Sequence, residues 1–463
     1  MFKRDFYSNL VSTSIKHGVT FLFGPRHCGK TFALKQMEQE FEKAVYINAK
    51  DLSDSEDAML DLIDNIRAAR KQNTGTIYLI DEVTYFYSPE TFVSKLYEIF
   101  NFTRNNDTCA VLTGSQSIAL RYWECKYFCG CCGVIDVDFL SYAEWLRYKD
   151  MSEPSEDSYL QFVSEVSDFY KFPSIDAYLA GCLQETVHSN YKSYTTIFNN
   201  DTEGLSVELL VDILFCALVN IHIGMNTSSK QLAAQIKYHF HEEIPQSVAD
   251  AIAQRYLSIK NPSNDALHNA LVFLYRNGLI GFSWKSTELE HSYLDSDVIS
   301  NNFPEFSRDS YGHFSKYTQE LFKSLGIFIR YPMFYVALLQ FILGREAVTS
   351  IPNALLGDIV ECHVRGLLPI NYQFTFHEPV NDREIDYVSP SCNLALEISV
   401  SDKHDVCFDL LQEDYCNILL TKSRWDSNST FKRIPYYWYI YHLSKGGWPS
   451  DIDALGRTNY FGS

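Results

Sequence analysis

The sequence is short of positive charge. Its 39 Lys and Arg stand against 58 Asp and Glu, a formal charge of −19 with His neutral. Such a surface repels phosphate backbones. The balance argues against general polyanion binding by the whole surface and leaves a local basic face open to it. Long apolar runs are missing too. The most apolar windows, "LLVDILFCALV" and "MFYVALLQFILG", fall short of the roughly 20 residues that span a bilayer, and the first carries Asp212. They are expected as buried helices, with no membrane partner. The opening residues, "MFKRDFYSNL", hold no apolar stretch of the secretory type. Twelve Cys are scattered without a disulfide-like spacing, which fits a reducing compartment and an expected cytoplasmic location. Aromatic residues are plentiful, with 31 Tyr and 32 Phe, so aromatic-rich cores are expected. The length predicts roughly three domains.

The N-terminal third reads as alternating strands and helices. Strands are expected at Gly18–Phe23, Ala44–Ala49, Thr76–Ile80 and Cys109–Gly114. Helices are expected at Thr31–Glu42, at Ser55–Arg70 with Ser55 as cap, and from Pro89 onward. This alternation predicts a parallel, three-layer α/β sheet. Between the first strand and helix lies "GPRHCGKT", Gly24–Thr31. It matches G-x-x-x-x-G-K-S/T in the strand–loop–helix setting that phosphate binding requires. Glycines let backbone N–H groups close on phosphates, and the helix dipole adds to them. The nucleotide is expected against Gly24, Pro25, Arg26, His27, Cys28, Gly29, Lys30 and Thr31. Lys30 reaches the β and γ phosphates, and the Thr31 hydroxyl ligates Mg²⁺. One βαβα interval later, "IYLIDE" ends in Asp81, for the Mg²⁺ shell, and Glu82, to polarise the attacking water. Thr113 and Ser115, in "VLTGSQS", are candidates to sense the γ phosphate or to orient the attacking water. ATP and Mg²⁺ are the expected cofactors.

Together "GPRHCGKT", "VYINA", "IYLIDE", "LTGSQS" and "LSYAEWL" (Leu140–Leu146), with Arg4 before them, resemble prokaryotic AAA+-like P-loop ATPases. Those ATPases carry a C-terminal domain of the restriction-endonuclease-like fold. The resemblance runs from Arg4 to about Leu146 and implies that Arg4 belongs to the nucleotide site. One departure stands out: where the family has Gly-Arg, this chain has Gly130-Cys131. A charge-stabilising arginine is worth about 10³–10⁵-fold in phosphoryl transfer elsewhere, so efficient hydrolysis is called into question. Arg121 lies nearby in sequence as a substitute. Cys125, Cys129, Cys131 and Cys132 have the spacing C-x3-C-x-C-C, which fits no zinc pattern, and are expected as reduced thiols.

"SEPSEDS" (Ser152–Ser158) marks a boundary near residue 150. "IDAYLAGCLQETV" (Ile175–Val187) loosely resembles the family's helical lid, matching it at Gly181. Three helices then follow, with Ser229 expected to cap the second and Gly278 to end the third. Strand-like "LIGFSW" and "SYL" complete a winged helix-turn-helix pattern. Its recognition helix, Ser263–Asn277, offers only Asp265, His268 and Arg276 as charged or titratable contacts. Phosphate contacts need Lys or Arg, which favours a structural or protein-contact module. In the last third, "EIDYVSP" and "LALEISV" read as a strand pair, "NILLTKSR" as the next strand, and "GDIVECHV" as a helix. Resemblance to the family's endonuclease-like domain makes Glu361, Asp386 and Glu397 a second candidate metal site. Ser399 stands at the family's Lys position, with Lys403 four residues on, so efficient cleavage is not expected.

The expected organisation is a P-loop ATPase core at 1–148, a helical lid at 149–204 and a winged helix at 205–300. A helical connector at 301–340 and an endonuclease-like α/β domain at 341–463 complete it. The expected function is an ATP-dependent switch that engages a protein or DNA partner. The alternatives are an ATP-gated, metal-dependent nuclease and a nucleotide-stabilised scaffold without turnover.

Overall fold

A computed structural model describes residues 2–53, 55–101, 107–115, 117–188, 205–218, 228–239, 244–259, 264–286, 325–343, 353–368, 374–378, 383–389, 393–400, 408, 411, 415–427, 431–447 and 450. The chain forms two compact units. One comprises residues 1–140, 180–202 and 303–313, and the other takes the rest.

The first unit opens with α1 (Asp5–Lys16) and β1 (Val19–Phe23), then α2 (Lys30–Glu40) and β2 (Ala44–Asn48). Next come α3 (Glu56–Gln72), β3 (Ile77–Asp81), α4 (Pro89–Asn101), β4 (Cys109–Thr113), α5 (Ser117–Trp123) and β5 (Gly133–Asp136). The strands form one parallel sheet in the order β2-β3-β4-β1-β5. Every residue of β1, β3 and β4 is buried, as strands covered by helices on both faces must be. α3 shows why the pattern folds this way. Met59, Leu62, Ile63 and Ile66 recur at helical spacing and are buried. Ser55 Oγ accepts from the Ala58 N–H at 3.0 Å, as expected of a cap. Asn73 turns left-handed (φ 52°) to end the helix. Buried Arg70 lies 4.3 Å over the Phe100 ring and donates to the Thr108 carbonyl at 2.8 Å, tying α3 to the approach to β4.

This parallel order brings the carboxyl ends of β1, β3 and β4 together. Leu22 is level with Thr113, and Asn48 with Asp81. Ligands of open α/β sheets bind along that edge.

The second unit begins with α6 (Tyr142–Tyr148) and α7 (Glu156–Phe169). α8 (Ile175–His188) is divided, its residues from Ala180 on counting with the first unit. Four helices follow: Val207–Leu218, Ser229–His239, Gln246–Ile259 and Asn264–Arg276. The third of these is additional to the expected set. Asp212, the acid within an apolar helix, is paired at 3.0 Å with Arg255 on that additional helix. The cap expected at Ser229 is one residue earlier. Ser228 Oγ accepts from the Gln231 N–H at 3.4 Å, and the Gln231 side chain accepts from the Ser228 N–H at 3.2 Å. That reciprocal box needs Gln three residues after the cap, which only Ser228 provides. Gly278 has φ 73°, as a helix-ending glycine should.

An eight-stranded mixed sheet completes the unit, in the order β12-β13-β11-β10-β9-β8-β6-β7. Its strands are β6 (Ile280–Ser286), β7 (Leu325–Ile329), β8 (Phe374–Glu378), β9 (Arg383–Ser389), β10 (Leu394–Ile398), β11 (Cys416–Thr421), β12 (Asp426–Ser427) and β13 (Lys432–Pro435). β6 pairs antiparallel with β7 and parallel with β8. The strand after the helices therefore joins the large sheet. The "SYL" expected as its hairpin mate lies outside the described residues, as do Lys403 and the side chains of Asp265, His268 and Arg276. Tyr142, Tyr159, Phe162, His363 and Tyr436 pack ring to ring. Burial pushes His363 down to about 3, leaving it neutral, and its Nδ1 lies 3.0 Å from the Tyr159 hydroxyl.

Candidate functional site

The loop after β1 is shaped by its glycines. Gly24 has φ 152°, and a Cβ there would stand 2.2 Å from the Val137 carbonyl oxygen and 2.8 Å from Cys28 Sγ. Gly29, at φ 102°, turns the chain into α2. His27 is left-handed as well (φ 64°), a strained state for a side-chain-bearing residue. Lys30 is buried, and its ammonium donates to the Gly24 and Pro25 carbonyls, both at 2.7 Å. Cys28 Sγ lies 3.8 Å away. Burial pushes that thiol's pKa up, against the pull of Lys30 and Arg4.

Arg4 clamps the loop. Its guanidinium donates to the Cys28 carbonyl at 3.0 Å and to the Asp138 carbonyl at 2.9 Å. Arg26 Nε is 3.3 Å from His27 Nε2. The Arg26 guanidinium rests on Gly181 of α8, where an added Cβ would stand 2.3 Å from Nη1. A side chain there would make the guanidinium shift.

Asp81 ends β3 almost wholly buried. The Tyr46 hydroxyl donates to Oδ2 at 2.9 Å, the Glu82 N–H to Oδ1 at 3.0 Å, and the Thr31 side chain also hydrogen-bonds the carboxylate. Burial raises the Asp81 pKa above its ordinary value, with these hydrogen bonds pulling the other way. Glu82 is left-handed at φ 55°. Its carboxylate accepts from the Ser115 N–H (3.0 Å) and Oγ–H (2.7 Å), and from Lys50 Nζ at 3.3 Å. Burial pushes Glu82 upward, but Ser115 and Lys50 prevail and hold it below the ordinary glutamate value. Thr113 is fully buried at the end of β4, and its hydroxyl has no hydrogen-bond partner among the described residues.

The structure therefore brings the expected loop, Asp81, Glu82, Thr113 and Ser115 to one edge of one sheet. Three features fit a nucleotide with Mg²⁺: a buried lysine held by loop carbonyls and a thiol, a hydroxyl–carboxylate pair at Thr31 and Asp81, and a buried threonine beside them whose hydroxyl has no partner among the described residues. Tyr46, within "VYINA", and Lys50 are additional partners of this acid pair. Arg121, the candidate substitute for the arginine replaced at Cys131, is ion-paired with Asp136 and lies 4.2 Å over the Phe23 ring. Cys131 itself is exposed. Cys125 and Cys132 both donate to the Glu124 carboxylate, at 3.4 Å.

The second candidate metal site has a different character. β9 and β10 pair antiparallel, and the Ile398 N–H donates to Asp386 Oδ2 at 2.7 Å. Burial, then the charges of Glu361 and Glu397, push the Asp386 carboxyl well above its ordinary range. Arg365 stands among these acids, 4% exposed. Its side chain bonds Glu361 Oε1 at 2.9 Å and also the Asp386 carbonyl oxygen. The guanidinium thus pairs with the Glu361 carboxylate and the Asp386 backbone. Among the described residues, no group of three or more His, Cys, Asp or Glu is arranged to hold a metal ion. Buried Ser399, at the expected lysine position, uses its N–H on the Leu420 carbonyl at 2.9 Å.

Residues 16–146 match a family model described as an AAA domain. Among solved structures, the Walker-type ATPase paby2304 of Pyrococcus abyssi is 12% identical. The match covers 73% of this chain and 96% of that one, at a TM-score of 0.35. A replication initiator DnaA bound to AMPPCP and single-stranded DNA is 11% identical over 59% of this chain and 90% of that one, at a TM-score of 0.28. AMPPCP-bound DnaA from Aquifex aeolicus is 11% identical over 58% and 84%, at a TM-score of 0.25. No curated protein matches the chain. The family match spans the sheet, the glycine loop and the acid pair, so residues 16–146 form an AAA domain. Among the described residues no helix is long and apolar enough to cross a membrane.

Proposed function

We propose that the protein is a cytosolic, ATP-dependent switch that binds ATP with Mg²⁺ at the carboxyl edge of the first sheet and engages a protein partner. The carrying observation is Lys30 and Thr31 beside Asp81, with Glu82 held by Ser115. Lys30 exchanges the Gly24 and Pro25 carbonyls for the β and γ phosphates. Its ammonium then gains charge-assisted bonds in place of neutral ones. Thr31 and Asp81 hold Mg²⁺, directly or through its water. Held there, Mg²⁺ would supply positive charge to offset the negative charge of the phosphates. Glu82, charged at neutral pH, accepts the hydrogen of the attacking water, and Ser115 fixes the direction of its carboxylate. Thr113 offers its unsatisfied hydroxyl to the γ phosphate.

Turnover is slow on this reading, because Cys131 supplies no charge and Arg121 is committed to Asp136. The low basic content favours a protein partner over DNA. Arg365 disfavours metal-dependent cleavage by the C-terminal sheet, which serves as a binding body. The test is a calorimetric titration of ATP with Mg²⁺ into wild type and Lys30→Ala. Loss of charge-assisted bonds worth about 1.5–3 kcal/mol each should weaken binding by at least about tenfold. Equal affinity in both proteins would overturn the assignment.

A further inference from the structure

We propose that Tyr46 is the positioning residue for the Mg²⁺-holding carboxylate: its hydroxyl fixes Asp81 in the orientation that receives the metal. This rests on the nucleotide-site reading above and deepens it.

Tyr46 is level with Leu79 in the sheet, and Asn48 with Asp81. It therefore stands one diagonal step behind the acid, a distance an aromatic side chain can bridge across strands. α2 guides the ring. Lys35 Nζ lies 5.4 Å over its face, and the Tyr46 N–H is 3.4 Å from Glu38 Oε1. The same helix begins with Lys30 and Thr31, so ring and phosphate loop share one support.

A carboxylate rotates freely about its last bond unless both oxygens are held. In Asp81, Oδ1 takes the Glu82 N–H and Oδ2 takes the Tyr46 hydroxyl. Thr31 also bonds this carboxylate, but it must turn toward the metal on ligation. Tyr46 is then the one of these side-chain donors that stays. Residues that orient a metal ligand typically carry about 10–100-fold of metal affinity.

The experiment measures ATP affinity of the full chain with excess EDTA and across a Mg²⁺ titration, for wild type, Tyr46→Phe, Asp81→Asn and the double variant. Tyr46→Phe keeps the ring and loses only the hydroxyl. The metal-free affinity should stay within about twofold, and the Mg²⁺ midpoint should rise about tenfold. In the Asp81→Asn background, Tyr46→Phe should change the Mg²⁺ dependence no further, because both act through one group. Tyr46→Ala, followed by thermal unfolding, separates loss of packing from loss of the hydroxyl. It should lower the unfolding temperature, which Tyr46→Phe should leave in place. An unchanged Mg²⁺ midpoint in Tyr46→Phe overturns the proposal. So does an equal loss of affinity with and without metal, which would mark a packing role. Wild type that binds no ATP, or Lys30→Ala that binds as wild type does, sinks the nucleotide site itself and this inference with it.

Discussion

Two clusters of acidic residues, one in each unit, solve the same electrostatic problem in opposite ways. Asp81 and Glu82 are held by hydroxyls, backbone N–H groups and Lys50, which is 38% exposed. Those partners can be exchanged for a ligand at low cost. Glu361 pairs with Arg365, whose own side chain is 5% exposed, and Asp386 lies within reach of the charges of Glu361, Glu397 and Arg365. Arg365 cannot leave without exposing a charge to a poorly hydrated interior. On the proposed reading, replaceable partners leave the first cluster open to ligand chemistry, whereas a buried guanidinium keeps the second from it.

The sharpest test is Glu82→Gln. It keeps the shape and loses the base, so hydrolysis should fall by about 100-fold or more while ATP affinity holds. Phosphate-release kinetics beside calorimetry would show this, and unchanged turnover would remove the first cluster from the chemistry. Next in size is Arg365→Met. Breaking a buried ion pair costs about 3–5 kcal/mol. Glu361 keeps 35% of its side chain exposed, so solvent shares its charge and about 1–3 kcal/mol is expected. Urea unfolding followed through the second unit measures it, and no loss would mean that Arg365 is not the neutralising partner.

The third test asks whether the C-terminal cluster does any chemistry. Single- and double-stranded DNA and RNA should survive incubation with Mg²⁺ or Mn²⁺, with or without ATP. Cleavage that disappears in Asp386→Ala and Glu397→Ala would erase the contrast. The smallest effect belongs to Lys50→Met. This is a half-exposed pair, worth less than about 1 kcal/mol, so ATP affinity should change by no more than a few fold. Lys50 helps hold Glu82 below its ordinary value. Without it the Glu82 pKa rises, and the acid limb of the rate–pH profile should move to higher pH. A shift to lower pH would mean that Lys50 acts on another group.

The first cluster was legible in sequence because its parts lie in short runs at fixed places. A glycine loop after a strand, an acid pair at a strand end and "LTGSQS" each declare themselves locally. Arg4 came from family likeness, and the structure places it on the Cys28 and Asp138 carbonyls. Tyr46 stands within "VYINA", but its bond to Asp81, like that of Lys50 to Glu82, depends on sheet register, which no local pattern encodes. Arg365 escaped notice for a related reason. Its spacing to Glu361 is helical, but its contact with Asp386 crosses from a helix to a strand 21 residues on. The Ser229 cap was misjudged by one residue because both serines can cap, and only the partner Gln231 decides between them.

The guanidinium of Arg365 has one further consequence. A bound ion has a dissociation rate and follows its concentration in solution, whereas a cation tethered to the backbone has neither property. Chelators and swings in free Mg²⁺ should leave the C-terminal cluster unmoved. Among the described residues, a response to divalent ions then reports on the nucleotide edge.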